Sequence, residues 1–106
     1  MAHSYYLYGS KSLDLQATRD SLISSLGVSF SSRESDFKGG VYHLARAQGF
    51  EKMTVEVNWV DEDGELVEQD FPEFSVLIYV TNPDEPVQSV LEEEISLQCL
   101  RIESVD

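Results

Sequence analysis

The order of hydrophobic and polar residues predicts a chain of short strands interrupted by two helices. An aromatic run at residues 5–8, closed by Gly9, is typical of a strand. Ser12 or Asp14 can then cap a helix, and Gly27 stands where a left-handed residue would end it. The apolar positions of this helix are Leu15, Leu22, Ile23 and Leu26.

The middle of the chain favours further strands. Residues 28–31 predict a second strand, and the segment VYHLARA after Gly39 and Gly40 predicts a third. Apolar and polar side chains alternate over residues 53–59, which predicts a strand with one buried and one solvated face. The apolar set is Met53, Val55, Val57 and Trp59, and the polar set is Thr54, Glu56 and Asn58.

A hairpin is predicted next, because Asp63 followed by Gly64 is a strong turn signal between two strands. The returning strand of this hairpin would be ELVEQDF, residues 65–71. After Pro72, the segment FSVLIYVT is apolar on both faces, which is typical of a central strand covered on at least one side by helices.

A second helix and a last strand complete the pattern. Asn82 is the expected cap, with Pro83 at the first helical position. The apolar stripe of this helix is Val87, Val90, Leu91 and Ile95. Residues 97–104 could extend the helix, but their pattern favours a short strand. We therefore predict one α+β domain over residues 1–106, with a largely antiparallel sheet and both helices packed on one of its faces.

Charge is distributed unevenly along the chain. Of 106 residues, 20 are acidic and 7 basic, which gives a formal net charge of −13. Residues 1–53 hold six basic and five acidic side chains, whereas residues 54–106 hold fifteen acidic ones and Arg101 alone. Phosphate recognition depends on Lys and Arg, so this field disfavours direct binding of nucleic acid or of an anionic membrane. A basic protein is the partner that it favours.

The sequence also predicts a location. No uncharged run approaches the roughly 20 apolar residues that a membrane span requires, and the first residues lack the charged and apolar regions of a signal peptide. A single cysteine, Cys99, cannot form an internal disulfide. We expect a soluble, cytoplasmic protein, whose oligomeric state is left open.

Motifs for catalysis or metal binding are weak. His43 is interpreted as a partly buried or surface side chain, and Cys99 as core filler among apolar neighbours. The run from Asp61 to Gly64 matches a calcium loop only superficially, since Trp59 would take the first ligand position. We therefore predict no enzymatic activity and no metal or cofactor site.

The acidic segment DEDGELVEQDFPE, residues 61–73, is the strongest functional candidate, because it carries seven carboxylates and no basic side chain. It could also be a solvated hairpin or a cation site. Acidic side chains can imitate a line of phosphates and steer a basic partner, and aromatic side chains nearby would anchor it. The predicted partner-binding residues are Asp61, Glu62, Asp63, Glu65, Glu68, Asp70, Glu92, Glu93 and Phe71. Further aromatic candidates, each equally suited to the core, are Trp59, Phe74, Tyr6 and Tyr42.

The chain resembles small acidic immunity proteins of bacterial toxin systems, which include contact-dependent and other polymorphic toxins. The resemblance is carried by its size, charge and layout and by two segments, RESDFKGGVYHL and VNWVDEDGELVEQDFPEFSVLIYV. The resemblance implies an antitoxin that binds a basic cognate toxin, with a nuclease as the expected partner. The acidic hairpin and the face bearing Glu92 to Glu94 would occlude the toxin's active site. Two alternatives stay open: a nucleic-acid mimic that inhibits DNA-binding proteins, and a small regulatory ligand-binding module.

Overall fold

The computed structural model describes residues 3–94 and 96–105, and in these residues the chain forms six strands and two α-helices. The strands are β1 (His3–Ser10), β2 (Ser31–Ser35), β3 (Gly40–Ala47), β4 (Phe50–Val57), β5 (Val76–Thr81) and β6 (Gln98–Val105). The helices are α1 (Leu15–Leu26) and α2 (Glu85–Glu93), and a 3₁₀ turn at Asp36–Lys38 joins β2 to β3. Neighbouring strands pair antiparallel in one sheet of order β2-β3-β4-β5-β1-β6. The predicted α+β class is confirmed.

Both helices pack on one face of the sheet. Leu22 of α1, with Val87 and Leu91 of α2, shares a buried cluster with side chains of β1, β3, β4 and β5. The predicted ends of α1 are also confirmed. The Asp14 carboxylate accepts the Ala17 N–H at 2.8 Å, and Gly27 closes the helix at a φ of 68°. Each fully buried aliphatic side chain of this cluster contributes about 1.5–3 kcal/mol to folding.

A long loop covers the opposite face of the sheet. Leu7 and Leu77 point away from the helices, because side chains alternate along β1 and β5, and they bury against Phe74. Phe74 belongs to residues 58–75, which connect β4 to β5 and are called the acidic loop below. Half-buried neighbours of this second cluster are Phe71, Tyr79 and Leu100. The predicted two-sided burial of β5 is confirmed, with helices on one side and the loop on the other.

The prediction of a strand at residues 65–71 is wrong. The turn before it forms, with Gly64 at a φ of 80°, but a single bridge between Val60 and Leu66 is all that follows. Beyond this bridge the side chain of Asn58 takes the backbone hydrogen bonds that a returning strand would use. Such local side-chain bonds compete with a sheet ladder, so the segment folds back as an irregular loop.

The prediction that one face of β4 is solvated is also wrong. Thr54 is 3% exposed and Glu56 is 6% exposed. Lys38 Nζ lies 3.1 Å from Glu56 Oε2, and the Thr54 hydroxyl donates to the same oxygen at 2.6 Å. A buried carboxylate of this kind needs a charged partner and hydrogen bonds, and both are present here.

Several predicted boundaries shift by a few residues, including those of β4, which spans Phe50–Val57 rather than residues 53–59. The second strand begins at Ser31, so most of the segment predicted for it, residues 28–31, precedes the strand. Asp84, rather than Asn82, caps α2, and its carboxylate accepts the Val87 N–H at 3.0 Å. Asn82 has a φ of 52°, in the left-handed region, which excludes it as the helix cap.

The C-terminal segment forms β6, which confirms the strand predicted there. Cys99 is exposed rather than buried, because β6 is the outermost strand of the sheet. Val87 and Leu91 of the stripe predicted for α2 are buried and Val90 is half-buried, whereas Ile95 lies outside the described residues.

Candidate protein-binding site

Asn58 fixes the two ends of the acidic loop. Its side chain is buried just after β4, and its backbone N–H donates to the Ser75 carbonyl at 2.9 Å. The side-chain amide donates to the carbonyls of Glu68, Phe71 and Phe74 at 3.4, 3.1 and 3.1 Å. The amide oxygen accepts the Glu68 N–H at 3.0 Å. Every polar position of this side chain is therefore used to hold the loop against the sheet.

The tip of the loop is a compact turn organised by Asp61. One carboxylate oxygen of Asp61 accepts the N–H groups of Asp63 and Glu65 at 2.9 and 3.0 Å. The Asp61 carbonyl accepts the Gly64 N–H at 3.0 Å. Asp61 is thus committed to the turn, whereas the side chains of Glu62 and Asp63 are exposed at its surface.

Trp59 lies at the base of this turn and is half-buried. Its side chain packs closely against Gly39, where a Cβ atom would stand 2.5 Å from the indole Cγ. Only a glycine allows this approach, and its φ of 76° favours glycine for a second reason. The ring is therefore held in place from the side of the 3₁₀ turn.

A surface depression of about 500 Å³ surrounds the exposed part of this ring. It is lined by Asp36, Trp59, Asp61, Glu62 and Asp63. Four acidic residues and one aromatic residue thus line one depression, although Asp36 and the loop acids are far apart in sequence. In the described part of the chain, no group of three or more His, Cys, Asp or Glu side chains is arranged to hold a metal ion.

Two apolar side chains of the acidic loop add exposed hydrophobic surface. Val60 is 57% exposed and Val67 is 40% exposed. The Val67 N–H donates to the Trp59 carbonyl at 3.0 Å, which places it alongside the segment that carries the ring. Exposed apolar groups next to an aromatic side chain are typical of the centre of a protein–protein contact.

Glu68, another predicted contact residue, is engaged inside the molecule. Its carboxylate receives two hydrogen bonds from the Arg101 guanidinium, each 3.0 Å long, and one from the Tyr79 hydroxyl at 2.7 Å. Burial opposes ionisation, but these hydrogen bonds outweigh it and hold the pKa of Glu68 below its usual value. Burial and the Glu68 carboxylate together raise the pKa of Tyr79. This carboxylate clamps the loop to β5 and β6.

The other predicted loop residues differ in their surroundings. Glu65 is exposed and accepts a hydrogen bond from Gln69 Nε2 at 2.8 Å. Asp70 is exposed, whereas Phe71 is half-buried and lies edge-on to Phe74, with ring centroids 6.4 Å apart. Phe71 therefore serves the core beneath the loop.

Glu92 and Glu93 lie on a different side of the molecule. Both are exposed on α2, and α2 packs on the face of the sheet opposite to the acidic loop. The structure therefore does not bring them together with Asp61, Glu62 and Asp63. Sequence reasoning missed Asp36, whose only signal was the Gly39-Gly40 pair that brings its 3₁₀ turn against Trp59.

Comparisons with known proteins give no relative for this chain: no family model, no curated protein and no solved structure matches it. Among the described helices, neither is long and apolar enough to cross a lipid bilayer.

Proposed function

We propose that this protein is an immunity-type inhibitor that binds a basic toxin domain, with a nuclease as the expected toxin, and covers its active site. The observation that carries the proposal is that one depression is lined by Trp59 together with Asp36, Asp61, Glu62 and Asp63. Charge alone rarely fixes a tight complex, whereas carboxylates beside an aromatic anchor can supply both steering and affinity.

The charges account for the choice of partner. A chain with a net charge of −13 attracts a basic surface over a distance of about a Debye length, or roughly 8–10 Å at physiological salt. Nucleases expose Lys and Arg where they bind phosphate, and the acids at the loop tip can occupy those positions. Association of this kind is fast at low salt and slows as salt is added.

Trp59 and Val60 account for affinity that persists in salt. An Arg side chain of the partner can stack on the exposed part of the indole ring while its guanidinium pairs with Asp36 or Asp63. Burying Val60 in the same contact adds apolar area that salt does not screen. Inhibition then follows from exclusion of the substrate, with no chemistry required of this protein.

The first experiment is affinity capture from a lysate of the source organism at low and at high salt, followed by mass spectrometry. We expect one basic nuclease domain to stay bound through the high-salt wash, and its nuclease activity to fall when the purified protein is added. Capture of many different nucleic-acid-binding proteins at low salt, all of them released at high salt, would instead identify a general nucleic-acid mimic. Retention of no protein at either salt would refute the proposal.

A pair of matched double variants then locates the contact surface. Glu62→Lys with Asp63→Lys reverses two exposed charges at the loop tip, and Glu92→Lys with Glu93→Lys makes the same change on α2. We expect the loop variant to slow association with the captured nuclease by at least about tenfold at low salt, and the α2 variant to slow it much less. Equal effects of the two variants would mean that the loop tip is not the contact surface. Asp61 is left intact because its carboxylate holds the turn.

A further inference from the structure

The two edges of the sheet differ in how well they are protected. β2, at one edge, is five residues long and has the sequence SSRES. β6, at the other edge, is eight residues long and exposes large apolar side chains, with Ile102 at 56% and Val105 at 52%. A long edge strand with apolar side chains offers unpaired backbone groups to a strand of another molecule. Natural proteins ordinarily protect their sheet edges against such pairing.

The charges along β6 favour a pairing of two copies that is centred on Ile102. In an antiparallel pair with two-fold symmetry, residues directly opposite each other lie on the same face, so the axis must pass through a residue that faces its own copy. An axis at Arg101 or at Glu103 would set like charges opposite each other, which is destabilising. An axis at Ile102 sets each Arg101 opposite the partner copy's Glu103 and brings the two exposed isoleucines together.

Arg101 and Glu103 already form an ion pair within each copy. They lie on the same face of β6, because they pair in register with Leu7 and Tyr5 of β1. Arg101 Nε lies 3.1 Å from Glu103 Oε1, and the guanidinium is fixed from behind by Glu68. Ile102 pairs in register with Tyr6 and so lies on the opposite face from these charges. The pairing thus presents a row of alternating charges on one face and an apolar contact on the other.

We propose that β6 is a self-association surface, through which two copies of this chain join in an antiparallel β6–β6 pair centred on Ile102. The bulge at Leu100, where the β1–β6 register shifts, limits the continuous ladder to residues 100–104. A ladder of this length predicts a reversible, concentration-dependent dimer. The acidic loop tip of each copy takes no part in the pairing, so the inference is independent of the function proposed above.

Sedimentation velocity between about 1 μM and about 1 mM protein tests the association. We expect a monomer–dimer equilibrium for the parent protein. Ile102→Lys sets two like charges on the axis and is expected to weaken the dimer by at least about tenfold. Val41→Lys is the matched control, because Val41 is 46% exposed on β3, which three strands separate from β6 in the sheet, and it leaves the dimer unchanged. A parent that stays monomeric throughout, or an Ile102→Lys variant that dimerises like the parent, would overturn the proposal.

Disulfide formation tests the register. In a Cys99→Ser background, Ile102→Cys places two thiols on residues whose Cα atoms are about 4.5–5.5 Å apart, within the range of a disulfide. Ser104→Cys in the same background is the control, because its two copies would stand roughly 13 Å apart along the strands. In a glutathione redox buffer we expect the first variant to form a covalent dimer and the second to stay reduced. Equal crosslinking of both variants would exclude this register.

Discussion

Glu68 and Arg101 form a two-pronged ion pair that joins the acidic loop to the edge strand β6. The two guanidinium nitrogens Nη1 and Nη2 lie 3.0 Å from the two carboxylate oxygens, and the Glu68 side chain is only 12% exposed. Arg101 is the single basic residue in the second half of the chain. Its position shows that one acid in the run from Asp61 to Glu73 is fixed by the fold.

Glu68→Gln should destabilise the protein, because it removes the charge that Arg101 and Tyr79 satisfy. Arg101 is 38% exposed, so solvent screens part of the loss, and we expect about 1–3 kcal/mol in the free energy of unfolding. Urea unfolding at neutral pH measures it. Asp70→Asn, an exposed acid of the same loop, is the control and should change stability by less than about 0.5 kcal/mol.

The same pair makes part of the stability depend on acid. The pKa of Glu68 is lowered in the folded protein, so its contribution is complete above the ordinary value of 4.5 and is lost as the pH falls through the lower folded pKa. The difference in stability between the parent and Glu68→Gln should therefore shrink below about pH 4.5. A difference that stays constant with falling pH would contradict this assignment.

The free energy of unfolding should fall in mild acid, because His43 is buried in its neutral form. It is 5% exposed on β3, where Ser32 Oγ lies 3.2 Å from its Nδ1. Burial and then the charge of Arg19 lower its pKa, and Asp20 opposes this only in part. A histidine with a lowered pKa stabilises the fold fully above pH 6.5 and loses that contribution as the pH falls through the folded value.

Unfolding free energies at about pH 7.5 and about pH 5.5 test the histidine. We expect His43→Gln to flatten the loss of stability that the parent shows between these values. A variant that keeps the parent's full pH dependence would assign the effect to other groups.

Gly39→Ala should displace the indole ring of Trp59. The added methyl group would stand 2.5 Å from Cγ of the ring, at a φ of 76° that an alanine rarely adopts. Strain of this kind costs about 1–3 kcal/mol, to which the clash adds. Trp59 is the single tryptophan of the chain, so its fluorescence reports the displacement directly.

Gly27→Ala separates the clash from the backbone strain. Gly27 has a φ of 68° and no atom within 4 Å of an added methyl group. This variant should lose stability through strain alone and keep the parent's fluorescence maximum. If Gly39→Ala also leaves the emission unchanged, the packing of Gly39 on the ring is not what positions it.

The sequence predicts those elements in which one residue acts on its immediate neighbours. The cap at Asp14, the left-handed Gly27 and the two-sided apolar pattern of β5 are local signals, and all three have the predicted structure. The turn at Gly64 has the same origin. Each of these features depends on residues only a few positions apart.

The errors come from contacts between distant parts of the chain. Glu56 resembles a solvated position because alternation shows which face a side chain occupies, but cannot show that a loop covers that face. The strand expected at residues 65–71 is lost to hydrogen bonds from one amide, Asn58, and nothing in its neighbourhood distinguishes that asparagine from a surface residue. The place of Asp36 beside Trp59 likewise depends on how β3 pairs with β4.

The position of β1 in the sheet determines when β1 can pair during synthesis of the chain. β1 pairs with β5 on one side and β6 on the other, so both of its neighbours begin at or beyond Val76. A chain synthesised from its N-terminus therefore makes Leu7 and Tyr8 long before the strands that shelter them. The meander from β2 to β5 pairs each strand with the next and can form first. Of the six strands described, β1 is therefore made before the others and is among the last to be fully paired.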